Sequence, residues 1–407
     1  MKALSKSRFK LGLECPNKVY FFNNKDIFYN QKKEDPFLEA LASGGFQVEE
    51  YARLQFPNGK LIDAPYKDDN YSFFHEETKK LLNQDEVVIY EAGFLYDQLF
   101  VRTDILEKKG NEIKLIEVKA KSYDPKEEHT FTTKTGKIVS SWKPYLFDLA
   151  FQTYVTQKSY PNCKVTPYLY LVDKTKSATI EGLNQMFRVK KESDKRTGVE
   201  VLANADSDLG ENLMGLINHS ETVQKIINDE FKYYDNLGFQ EAINLIRSVR
   251  LENKYPNWPT SFSACKKCEF KLDSGATKNN LSGFEYCFQK QHNWKSTEFK
   301  KPNIFNIWDF KNTTVFEQGK YFKEDLNEED IKLKPVANKI SRTERQWLQV
   351  EKERDNDFTE YFDKEGFLNE SSDWKYPYHF IDFETSTVPL PFHKGRTAYE
   401  QIAFQFS

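Results

Sequence analysis

Glu117 and Lys119 stand two apart in the apolar stretch LIEVK, and Asp104 lies upstream in LFVRTDIL. In a β-strand, residues two apart point to the same face. Glu117 and Lys119 therefore project together, with Val118 buried opposite. A Gly110-Asn111 turn between the two stretches folds the second strand back beside the first and brings Asp104 next to Glu117. Two carboxylates and the Val118 carbonyl make an all-oxygen site suited to Mg²⁺ or Mn²⁺. A metal held there polarises a phosphate and lowers the pKa of an attacking water. Lys119 can orient that water or neutralise charge developing on the phosphorus centre. Arg102 and Lys121 flank the motif and are candidate phosphate contacts. The competing reading is an ordinary solvated strand face. It is weakened by the apolar character of both strands, where lone charges are costly unless paired or metal-bound.

The elements that must position these residues are legible as periodicities. Residues 87–96, 99–109 and 113–122 are β-branched and aromatic runs joined by short turns, which predicts an antiparallel meander. A Lys/Thr-rich insertion spans about 123–141. Residues 144–160 follow with a helical period, placing Leu146, Leu149, Ala150, Tyr154 and Val155 on one side, and 164–172 is a further strand. Residues 71–83 predict an amphipathic helix with Phe74, Thr78, Leu81 and Leu82 on one face. Residues 1–30 read as a short helix, a Cys-Pro step and an aromatic run. Residues 36–56 read as a helix, a Gly-Gly break and a second helical stretch. Residues 209–251 read as helical, 298–370 as a charged helical connector, and 376–407 as the start of a new strand pattern.

Formal net charge is −3, so nucleic-acid binding must come from local patches such as the lysine-rich 114–143 segment rather than from a global basic field. No apolar run approaches the roughly 18 residues that span a bilayer. The first residues lack the apolar stretch and cleavage site of a signal peptide. Together these predict a cytoplasmic protein with no membrane partner.

Five cysteines argue against a disulfide framework. Cys265-Lys-Lys-Cys268 is a C-x₂-C turn, which can clamp one metal or cluster with two converging thiolates; Cys287 follows it and Cys15 lies far upstream. A thioredoxin-like redox site would need a strand, motif and helix that are not seen around Cys265. Structural Zn²⁺ stays open, with His292 as a spare ligand. Cys163 reads as an ordinary buried thiol.

Residues 1–290 resemble the RecB-like branch of the PD-(D/E)XK nucleases through EAGFLYDQLFVRTDIL, LIEVKAKS and DLAFQTYV, in that order. The resemblance implies an α/β, restriction-endonuclease-like core, a mixed sheet flanked by helices, with Asp104, Glu117, Lys119 and Gln152 in catalytic roles. It implies His75 as an extra metal ligand beside Asp104, Glu117 and Val118, and it matches Glu91 to a carboxylate of the same stretch. The branch usually carries Gln-x-x-x-Tyr on the helix; here Thr156 stands at the fourth place after Gln152 and Tyr154 at the second, so Tyr154 enters as a substrate-contact candidate. CRISPR-associated exonucleases and AddB-type nucleases of this kind hold a structural [4Fe-4S] cluster with one cysteine before the core and three after it. Cys15, Cys265, Cys268 and Cys287 reproduce that order, with zinc as the alternative.

HFIDFETST, residues 379–387, resembles the first motif of DnaQ-like (DEDD) exonucleases, which implies a second, incomplete metal pair at Asp382 and Glu384 on a partial RNase H-like strand pair. The whole order, from SKSRFKLGLECP to YPYHFIDFET, resembles a group of poorly characterised bacterial proteins. The expected organisation is a nuclease domain over 1–292 with its core at about 71–175, a helical connector over 293–373, and a truncated DnaQ-like start over 374–407. The expected function is metal-dependent hydrolysis of phosphodiester bonds, with DNA as substrate. The alternatives are a non-catalytic nucleic-acid-binding module with a structural zinc or iron–sulfur site, and an iron–sulfur redox protein.

Overall fold

A computed structural model describes residues 2–31, 36–64, 70–191, 197–202, 208–234, 236–272, 276–277, 279–337 and 339–406. The chain divides into two units, one made of residues 1–23, 34–255 and 383–406, the other of 24–33 and 256–382.

The first unit is built on a seven-stranded mixed sheet. Strands β1 (Leu4–Ser5), β2 (Lys60–Leu61), β3 (Glu86–Tyr96), β4 (Leu99–Lys109), β5 (Glu112–Tyr123), β6 (Lys164–Asp173) and β9 (Met214–Asn218) form it in the order β2-β3-β4-β5-β6-β9, with β1 beside β4. A separate pair, β7 (Phe187–Lys191) and β8 (Thr197–Val201), is antiparallel. The predicted meander is there: β3, β4 and β5 pair antiparallel in sequence order. Asp97 and Gln98 both take positive φ, the backbone a two-residue hairpin turn requires, and Gly110 does the same at the next turn. From β5 the chain crosses over through helix α5 (Lys143–Ser159) to β6, which pairs parallel to β5.

Alternation along the strands feeds two cores. Leu106, Leu115, Leu169 and Leu171 pack with Leu146, Leu149, Ala150 and Phe151 of α5. Ile105, Ile116, Val118, Tyr170 and Val172 pack with Val48, Tyr51 and Ala52 of helix α3 (Pro36–Leu54). Helices α1 (Lys6–Glu14), α2 (Pro16–Asn23), α4 (Tyr71–Leu81), α6 (Ser220–Ile227) and α7 (Phe239–Glu252) complete the helical layers. The rings of Phe9 in α1 and Phe151 in α5 stack at 4.2 Å between centroids. With helices behind it and the sheet in front, α5 is buried almost all round, including the polar Asp148 and Gln152.

Three local expectations change. Gly44-Gly45 does not break a helix: α3 runs uninterrupted over 19 residues. Residues 214–218 are not helical but form β9, because the open edge of β6 takes up their backbone groups antiparallel, with Leu169 opposite Ile217. The C-terminal strands β10 (Phe383–Ser386) and β11 (Ile402–Phe406) pair antiparallel, as the sequence pattern suggests, yet they group with the first unit rather than standing apart. The reason lies in the segment between them. Leu390 and Ala398 are buried in the core under α3, the Ala178 N–H donates to the Arg396 carbonyl at 2.9 Å, and the Asn184 amide donates to the Leu390 carbonyl at 3.1 Å.

In the second unit, helices α8 (Phe262–Lys266), α9 (Gly283–His292), α10 (Thr313–Glu317), α11 (Glu328–Ile331), α12 (Arg342–Arg354) and α13 (Lys364–Ser371) are short. The stretch expected to be a helical connector, 293–373, carries α10 to α13, and aromatic rings pack it with α8 and α9. Phe262 stacks on Phe305, and Phe288 meets Trp294 and Phe316. Among the described residues, no helix is long and apolar enough to cross a membrane.

Candidate active site

Backbone pairing between β4 and β5 ends at Ile105 and Ile116. Asp104 and Glu117 are the next residues on each strand, at the point where the strands part. The Asp104 carboxylate takes over from the missing ladder: its Oδ2 accepts the Val118 N–H at 2.8 Å. Glu117 points to the α5 side, one residue along from the buried Ile116 of the opposite core, and is only 1% exposed.

Two lysines and an amide surround the pair. The Lys6 ammonium, reaching in from α1, donates to both Glu117 oxygens at 3.1 Å and to Asp104 Oδ1 at 3.5 Å. Lys119 donates to Glu117 Oε1 and, at 2.7 Å, to the Val118 carbonyl, and its ammonium lies 3.6 Å from Asp104 Oδ2. The Gln152 amide on α5 donates to Glu117 Oε2 at 2.9 Å. The four residues expected to act together, Asp104, Glu117, Lys119 and Gln152, are thus adjacent.

Electrostatics separates the two acids. Burial works against ionisation of Glu117, but the Lys119 and Lys6 charges and the bonds from Lys119 and Gln152 outweigh it and hold the carboxyl well below its usual range. For Asp104, burial and the neighbouring Glu117 charge win, and its pKa is raised. Burial alone would lower both lysines; the facing carboxylates raise them instead. Asp148, one helical turn before Gln152, is fully buried. Burial and the Glu117 charge push its pKa up to about 6.

On the far side of Asp104 lies a second group. One oxygen each of Glu49, Glu91 and Asp104 lie within 4.8 Å of one another, a set able to hold a cation. Arg53 sits in it, donating to Glu49 at 2.6 Å and to Glu91 at 2.7 Å. Burial and the charges of Asp104 and Glu91 raise Glu49 to about 8. Glu91 adopts a φ of 60°, rare for a residue with a side chain, midway along β3 and beside Asp104. That backbone turns its carboxylate to Arg53 and Arg102.

The remaining predicted residues lie further out. His75, on α4, accepts the Leu95 N–H at Nδ1 (3.3 Å) and is not one of the three residues whose oxygens converge. Arg102 pairs with Glu91 and lies over the Phe74 ring. Lys121 donates to the Ser141 carbonyl at 2.7 Å and lies over Trp142, next to the helix that carries Gln152. Tyr154 turns edge-on to Phe239 of α7. Cys15 belongs to the first unit, and Cys265, Cys268 and Cys287 to the second. There the Cys268 N–H donates to the Cys265 carbonyl at 3.2 Å, and Cys287 is buried in α9. Both ring nitrogens of His292 are engaged, with Thr260 at 2.7 Å and Tyr321 at 3.1 Å. Asp382 and Glu384 are exposed, Glu384 on β10 and Asp382 just before it.

Sequence reasoning missed Lys6, Lys10, Glu49, Arg53 and Asp148. Three of these had a signal. Asp148 and Gln152 sit four apart in DLAFQ, hence on one helical face, and Lys6 and Lys10 share the same spacing in KSRFK. Glu49 and Arg53 had none, since only tertiary packing carries α3 to Asp104.

A family model described as a domain of unknown function (DUF2779) matches residues 379–407. No curated protein matches the chain.

Proposed function

We propose that the first unit is a metal-dependent nuclease on a restriction-endonuclease-like core, hydrolysing phosphodiester bonds in DNA. The observation that supports it best is the Lys6 ammonium. One positive centre touches both oxygens of Glu117 and one of Asp104. A site that accommodates one cation between these carboxylates has the donor chemistry for a hard divalent ion, with Asp104, Glu117 and the Val118 carbonyl as the residues that would hold it. When bound, Mg²⁺ or Mn²⁺ supplies Lewis acidity and a water of lowered pKa. The chain's own groups do the rest. Gln152 and Lys119 fix the Glu117 carboxylate, so it needs no reorganisation. Lys119 presents an ammonium toward the site, where it stabilises negative charge that grows on the phosphate. Arg102 and Lys121 offer cations to the flanking phosphates.

The test is cleavage of single- and double-stranded DNA by the purified full chain with Mg²⁺ or Mn²⁺. Wild type should cut, and Lys119→Ala should lose on the order of 100-fold or more. Equal rates for the two would overturn the reading. The iron–sulfur expectation for Cys15, Cys265, Cys268 and Cys287 is a proposal supported by the C-x₂-C spacing and by the order of the cysteines along the chain. Anaerobically purified protein should contain iron and acid-labile sulfide; bound zinc in a colourless protein would overturn it.

A further inference from the structure

Resting on the metal reading of Asp104 and Glu117, a second step concerns Lys6 and Asp148. Helices α1 and α5 face each other with matched pairs. Lys6 and Lys10 lie four apart on one, Asp148 and Gln152 four apart on the other, and the Phe9–Phe151 stack at 4.2 Å holds the helices together between them. Gln152 is satisfied by Glu117. Asp148 is not. Both of its oxygens are fully buried with no hydrogen-bond donor, and the Lys10 ammonium comes only to 3.6 Å. A buried carboxylate left this way is costly.

Two carboxylates and two ammonium groups make the inner site electrically balanced: Asp104 and Glu117 against Lys6 and Lys119. A divalent cation entering it brings two charges too many, and it needs the same oxygens that Lys6 holds. Lys119 shares its strand with Glu117 and is tied to the Val118 carbonyl. Lys6 comes from another element on a four-carbon stem and is 23% exposed, so it is the group free to leave. Asp148 lies on the α5 face that α1 packs against, approached by Lys10 one turn along from Lys6, and both its oxygens still lack a hydrogen-bond donor.

We propose that Lys6 is the resident counter-ion of the metal seat, and that on metal binding its ammonium moves from Asp104 and Glu117 to Asp148. Lys6 is then a positioning residue. It keeps the two carboxylates together without metal, and it sets the affinity for metal by competing for them.

The experiment is Mn²⁺ titration of the full chain by calorimetry, with thermal melting alongside. Lys6→Met should tighten Mn²⁺ binding about tenfold or more and lower the melting temperature of the metal-free protein, with Mn²⁺ restoring it. Asp148→Asn should weaken Mn²⁺ binding in the wild-type background and have no effect in the Lys6→Met background. Mn²⁺ affinity in Lys6→Met equal to or below wild type overturns the exchange. Should Lys6→Met fail to fold, Asp148→Asn alone decides: unchanged affinity overturns the exchange, weaker affinity supports it. Glu117→Gln separates the two levels. If it binds Mn²⁺ as wild type does, or if wild type binds none, the metal reading of Asp104 and Glu117 falls and the exchange with it.

Discussion

Two acidic pairs look alike in this sequence and have opposite surroundings in the fold. Asp104 and Glu117 lie where two strands part, against a helix, and Glu117 is 1% exposed with three donors on it. Asp382 and Glu384, two apart in an equally apolar stretch, are exposed. The apolar residues around the second pair, Phe380, Ile381 and Phe383, are exposed as well. The difference shows that apolar flanks do not by themselves make an acid a site. What separates the pairs is desolvation together with counter-charge. Burial raises the stakes of every charge, and at the first pair two lysines and an amide make an ionised carboxylate tolerable.

Glu117→Leu removes the acid and strands Lys6 and Lys119. It should abolish DNA cleavage and destabilise the first unit by about 3–5 kcal/mol, the usual penalty of breaking a buried pair, as read from urea unfolding. A loss below about 1 kcal/mol would mean that the acids are not structurally committed. Phe9→Ala, which changes no charge, tests whether α1 holds Lys6 in place. It should lose about 3–5 kcal/mol from the deleted ring and lower nuclease activity with it. Activity unchanged at a temperature where the protein stays folded would detach α1 from the site.

Acid sensitivity sharpens the contrast once another group is removed. His219 is buried with its Nε2 unsatisfied, edge-on to Phe131, and burial pushes its pKa down to about 4. Above its ordinary 6.5 both the folded and the unfolded chain keep it neutral. Between 6.5 and 4 only the unfolded chain takes up the proton, so stability falls as pH falls. The full effect is about 3 kcal/mol, at about 1.4 kcal/mol per pH unit. His219→Phe should flatten that slope in pH-dependent melting; an unchanged slope would assign it elsewhere. Smallest of all, Glu384→Ala and Asp382→Ala should each shift unfolding by less than about 0.5 kcal/mol, as exposed positions do. A larger shift would move this pair into the class of the first.

Much of the architecture was legible because it rests on local periodicity. The three meander strands, α4, α5 and β6 fall within a residue or two of where the pattern puts them. At the second hairpin turn Gly110 supplies the positive φ that the backbone takes there. What was illegible depended on partners distant in sequence. Residues 214–218 fall in a stretch that reads as helical and became a strand because β6 offered an open side. Two glycines in α3 left the helix intact, and the turns after them are held by the packing of Val48, Tyr51 and Ala52. The chain between β10 and β11 joined the first unit because Leu390 and Ala398 found a place under α3.

The site divides in the same way. The amino-acid sequence determined that Glu117 and Lys119 share a face and that Asp104 lies across a hairpin from them, since strand period and turn chemistry suffice for both. It also set Asp148 and Gln152, and Lys6 and Lys10, on single helical faces. Only the tertiary structure decided that these faces meet, that Lys6 occupies both carboxylates, and that Glu49, Glu91 and Arg53 close around Asp104. Those relations join residues far apart in the chain; Lys6 and Glu117 alone are 111 positions apart. They arise from burial and charge balance, which no local spacing encodes.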